Sequence, residues 1–107
     1  MSYNDKIELV ADEMVKFAKR KIEMEFDGTL RRQRHQLECF EAYYEIYKKH
    51  FGDLIDHRIS EKISVLGGCL GCLFKSICES AMEIDEMNAV MEKYIRLQVK
   101  TMNLWSV

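Results

Sequence analysis

Proline is absent from all 107 residues. Average usage would supply about five, so the residue that most often breaks helices and punctuates loops is missing throughout. Glycine is scarce at five and tryptophan appears once. No uncharged run is longer than Ile63 to Phe74, well short of the ~20 apolar residues needed to span a bilayer. The net charge of −2 excludes both a strongly basic nucleic-acid binder and a polyacidic tail. Asp, Glu and Lys are scattered through the first twenty residues, so no secretory signal is expected and the location read from the sequence is cytoplasmic.

What is present is helical periodicity. Hydrophobic residues make up 48 % of the chain and recur at steps of three and four, in a length that suits one domain with its own core. The expected fold is all-α: a single antiparallel bundle of four long helices, or three if the second half is less broken. The first helix spans about Tyr3 to Glu25, with Tyr3, Ile7, Val10, Met14, Phe17 and Ala18 on one stripe. Asp27-Gly28-Thr29 supplies a turn, with Thr29 suited to cap the next helix. The second helix runs from about Leu30 to Phe51. Leu30, Leu37, Phe40, Tyr44, Tyr47 and Phe51 form its main stripe, and Cys39, Tyr43 and Ile46 a flanking one. Gly52-Asp53 closes it, and Asp53 is the expected N-cap of the third helix.

From Ile59 to Trp105 the apolar phase never breaks. One helix of that length would extend roughly 70 Å, so a compact chain must interrupt it. Gly67-Gly68 is one candidate and the neighbourhood of Ser80 the other. Ser80 is favoured because Ser80-Ala81-Met82-Glu83 has the spacing of a capping box. Acidic residues after Ser80, then Lys93, Arg96 and Lys100, also suit a helix dipole.

Three groups of residues carry functional readings. Ser60, Ser64, Gly67 and Gly71, with Gly68 and Cys72 adjoining, make a small-residue stripe suited to close helix packing, within the chain or between subunits. The apolar surplus of the second helix points the same way, so Tyr43, Ile46, Ser64, Gly67, Gly68 and Gly71 are the expected interface residues of a homo-oligomer. Tyr43 and Tyr44 point to different sides, and one of them is the expected anchor. Arg31, Arg32, Arg34 and His35 gather at the start of the second helix, with Lys19, Arg20 and Lys21 one turn of chain earlier. Cations there oppose the macrodipole, and such a cluster can bind a phosphate-bearing ligand, a nucleotide or nucleic acid; its bland alternative is a solvated charged face. Cys69-Leu70-Gly71-Cys72 lacks the strand context of a redox motif, and Cys78 is out of phase with Cys69 for a shared zinc. Buried thiols are therefore expected, with no metal and no cofactor.

No residue pattern indicates a reaction. Glu38 and Glu41, then Glu79, Glu83 and Glu86, offer carboxylates for a metal-dependent hydrolase, but His35 precedes Glu38, the reverse of the di-iron order. The leading reading is a non-enzymatic regulatory protein that presents a helical surface to a protein partner. Compact accessory proteins of bacteria and phages share this build, an analogy of class only. A phosphate-ligand binder comes second and the hydrolase third.

Overall fold

The computed structural model describes residues 2–26, 35–102 and 104–105, with side chains described for 2–24, 41–102 and 104–105. The Asp27-Gly28-Thr29 turn and the start expected for the second helix at Leu30 lie outside the described residues. Among those described there are four α-helices and no strand: α1 Tyr3–Phe26, α2 His35–Phe51, α3 His57–Cys78 and α4 Ile84–Thr101. A 3-10 turn, Gly52–Leu54, joins α2 to α3. Gly52 has φ +37°, a left-handed conformation that glycine adopts without a Cβ clash.

Ion pairs and ring contacts fix the helix directions. Glu8 reaches Lys100, Asp12 reaches Arg96 and Lys19 reaches Glu92, so α4 runs antiparallel to α1. Tyr3 meets Phe51, Glu13 meets His50 and Phe17 meets Tyr43, so α2 also runs antiparallel to α1. The chain therefore goes up, down, up, down around a ring. The α2–α3 and α1–α4 pairs are the most extensive, and α1 and α3 lie diagonally. The bundle measures 39 × 23 × 21 Å.

Its core follows the periodicity. Val10, Met14 and Ile22 of α1, Tyr43 and Tyr47 of α2, Ile59, Ile63, Leu66, Leu70 and Phe74 of α3, and Met87, Met91, Ile95 and Val99 of α4 are buried. Each large apolar side chain so buried contributes about 1.5–3 kcal/mol. At one end Tyr3, Phe51 and Trp105 pack ring to ring, and the Trp105 indole donates to the Leu54 carbonyl oxygen at 3.1 Å. The Tyr47 hydroxyl is buried below this cluster, and burial together with the nearby Tyr3 pushes its pKa above the usual phenol range.

Two capping expectations are corrected. Asp53 lies within the 3-10 turn, and Asp56 is the N-cap of α3, its Oδ1 accepting from the Ile59 N–H at 2.9 Å. The extra turn of chain moves the helix start three residues on. Likewise α3 passes straight through Gly67-Gly68 and ends at Cys78, so the break falls near Ser80, as favoured. Ser80 nevertheless caps the wrong helix for a capping box. Its hydroxyl donates to the Ile77 carbonyl at 2.6 Å and accepts from Met82 N–H at 3.3 Å, closing α3, while Glu83 opens α4 with no side-chain cap. The expected dipole order of α4 holds, with Asp85 and Glu86 in its first turn and Lys100 in its last.

Candidate functional site

Helix α2 presents three directions, and the residue spacing decides which side chain takes each. Tyr43, Tyr47 and Phe51, at steps of four, face the core. Tyr44 lies about 60° around the axis from Tyr47, toward α3, and Ile46 lies about 100° the other way, toward α1. Tyr43 is thus fully buried (0 %), its ring edge-on to Phe17 at 5.7 Å, and cannot serve as the exposed anchor expected of it. Tyr44, its neighbour, is half-buried at the surface.

Tyr44 lines a cleft of about 410 Å³ between α2 and α3, with Glu41 and Glu45 on one wall and Ser60 on the other. Both carboxylates are exposed. Glu41 and Glu45 stand one helical turn apart, where like charges cost about 0.2–0.5 kcal/mol. A cation seated between them would reverse that cost, and the Tyr44 ring supplies an apolar and π-rich floor for it. On the opposite flank of α2 a second cleft, about 250 Å³, is lined by Glu13, Lys16, Phe17, Arg20 and Ile46. The acid among these is already engaged: Lys49 Nζ donates to Glu13 Oε1, and His50 Nε2 lies 2.6 Å from Glu13 Oε2. The Lys49 hydrogen bond, aided by His50, holds the Glu13 carboxyl below the usual range despite its partial desolvation. The two clefts flanking α2 therefore differ in character, acidic toward α3 and cationic toward α1.

The basic cluster is only partly visible. Arg31, Arg32 and Arg34 lie outside the described residues, and His35 opens α2 with its side chain outside them. Of the residues expected to enlarge the cluster, Lys19 pairs with Glu92 at 3.1 Å and Lys21 is buried over the Phe17 ring at 5.3 Å. Arg20 alone of the three lines the α1–α2 cleft, beside Lys16. Lys19 and Arg96, hydrogen-bonding Glu92 from two sides, hold its carboxyl below the usual range.

The small-residue stripe divides. Gly67 and Gly71 are buried on the inner side of α3, Ser60 reaches the acidic cleft, Ser64 is exposed, and Gly68 faces open space. Ile46 is half-buried against the core. The thiols depart from expectation: Cys69 and Cys72 are exposed and Cys78 half-buried. Cys69 and Cys72 turn away from the buried Ile63 and Phe74 while Cys78 packs at the edge of the core, so at the first two helix phase overrides the average tendency of cysteine to be inside. Among the described residues no three His, Cys, Asp or Glu side chains converge as metal ligands. Glu79 and Glu83 flank the α3–α4 connection and Glu86 lies in the first turn of α4, all three exposed. No described helix is long and apolar enough to cross a membrane. In the sequence Glu41 reads as a pair with Glu38 and Glu45 stands apart; the signal for the cleft is two acids flanking an aromatic at i, i+3 and i+4. No family model, no curated protein and no solved structure matches the chain.

Proposed function

We propose that the protein is a non-enzymatic helical binding protein that docks a protein partner in the α2–α3 cleft. The single observation behind this reading is the half-buried Tyr44 between two exposed, like-charged neighbours, Glu41 and Glu45, at a cleft opening onto Ser60. That chemistry suits a basic residue on a partner helix. The aliphatic stem of a lysine or arginine covers the phenol ring while its charge lies between the carboxylates. A helical partner also fits the groove between two helices, which runs along the bundle.

The test uses amphipathic helical peptides that share an apolar face and differ only in the charge of the polar face. The cationic peptide binds and the anionic one does not, with affinity falling as salt rises. Tyr44→Ala weakens binding about tenfold or more, the scale of an interface anchor, and Glu41→Gln with Glu45→Gln removes the preference for positive charge. Equal binding of both peptides, or full tolerance of Tyr44→Ala, sinks the proposal.

A further inference from the structure

The outward face of α3 is uncharged through its middle. Val65 is 59 % exposed, Cys69 and Cys72 are exposed, and no charge interrupts the helix between Lys62 and Lys75. Gly68 lies on the same side, and a Cβ built there would meet no atom of the described residues within 4 Å. Its missing side chain therefore makes room for none of the described residues, although glycine in a helix interior costs about 1 kcal/mol relative to alanine.

Besides the exposed Glu61, which also turns outward, two charges at the ends of this face are misplaced for an isolated helix. Arg58 stands in the first turn of α3, which contains no acid, and Glu79 is its C-cap. Each opposes the macrodipole. Both are exposed and share the outward side with Val65 and Cys72, within about 40° at 100° per residue. A second α3 laid antiparallel, with a two-fold axis midway between Gly68 and Cys69, reconciles these observations. In that register position i lies level along the helix axis with position 137 − i of the second copy. Val65 then faces the second copy's Cys72, and Arg58 faces its Glu79 at both ends. The two Gly68 residues meet on one side of the axis, allowing close approach of the backbones, and the two Cys69 residues meet on the other. The overlap uses almost the whole 22-residue helix.

We propose that the chain pairs with a second copy of itself through this face of α3, in the antiparallel register that sets Arg58 against Glu79 and Cys69 against Cys69. The pairing gives the homo-oligomer expected from the sequence a definite surface, and it leaves the Tyr44 cleft on another side of the bundle. A single helix pair lies at the small end of specific interfaces, so association is weak and reversible.

Sedimentation velocity on the full chain in reductant, from roughly 1 to 300 µM, reads the equilibrium directly. Arg58→Glu and Glu79→Arg each raise the dimer dissociation constant about tenfold, since symmetry turns two ion pairs repulsive at once, and the double variant restores it to within about threefold. Neither change threatens folding, because each improves the helix dipole. Brief diamide oxidation supplies the register. At an interaxial distance of about 8.5 Å the two Cys69 Cα atoms lie ~5.5 Å apart, within disulfide range, whereas the Cys72 pair is about 10 Å apart along the axis. Covalent dimer therefore forms in Cys72→Ser and disappears in Cys69→Ser. A monomer at every concentration, charge reversals that fail to rescue each other, or cross-linking that survives Cys69→Ser overturns the proposal. The peptide assay run on the same variants reads the Tyr44 cleft separately, so either proposal can fail alone.

Discussion

Gly68 shows how one residue can be unfavourable for its own helix and still belong where it is. It occupies an open position in the middle of α3, with helical neighbours and no steric need for a missing Cβ. Gly68→Ala is expected to stabilise the monomer by about 0.5–1 kcal/mol, through lower entropy of the unfolded chain, while weakening self-association. Chemical denaturation of dilute protein and sedimentation at high concentration check the two effects, which carry opposite signs. A variant that gained stability without losing association would mean that the two backbones do not come close at Gly68. The neighbouring cysteines carry a related lesson. Leu66, Leu70 and Ile77 already set the inward phase of this segment, and that phase places Cys69 and Cys72 outside. Residue-type tendency pointed inward, and geometry prevailed.

At the scale of the element, termini were harder to read than bodies. Asp53 and Asp56 both precede α3 and both suit an N-cap, yet only the Asp56 carboxylate receives the Ile59 N–H. Asp56→Ala should cost about 1 kcal/mol, and Asp53→Ala little, as measured by urea unfolding. Equal costs would place the helix start elsewhere. The interruption near Ser80 was legible because polar residues cluster there, while its hydrogen bonding was not. A serine hydroxyl can close the preceding helix as readily as open the next, and the Ser-x-x-Glu spacing does not distinguish the two. The phase of α2 was ambiguous for a similar reason. Tyr43 and Tyr44 stand four and three residues before Tyr47, both at helical spacing, and identical side chains leave composition nothing to separate them. Only packing against Phe17 settles which ring is inside.

At the scale of the whole molecule, the antiparallel up-down order was legible from the apolar period and the absence of proline. The acidic cleft was not, because it is formed by α2 and α3 together, and Ser60 joins it from the other helix. Ion pairs between helices now give stability a pH dependence. Glu13, held low chiefly by Lys49, and Glu92, held low by Lys19 and Arg96, ionise more readily in the folded chain than unfolded. Their contribution is complete above the ordinary glutamate pKa of 4.5 and is lost as pH falls through their lower folded values. Glu13→Gln with Glu92→Gln should therefore flatten the decline in melting temperature between about pH 5 and pH 3, with the difference shrinking in high salt because these groups are partly exposed. An unchanged acid slope would assign the decline to other carboxylates.

The chain's single tryptophan sits where three distant stretches converge: its indole caps the Leu54 carbonyl while its ring rests between Tyr3 and Phe51. It is thus a built-in optical reporter. Its emission would redden when that end of the bundle unseats, so loosening there can be followed by fluorescence without attaching a dye.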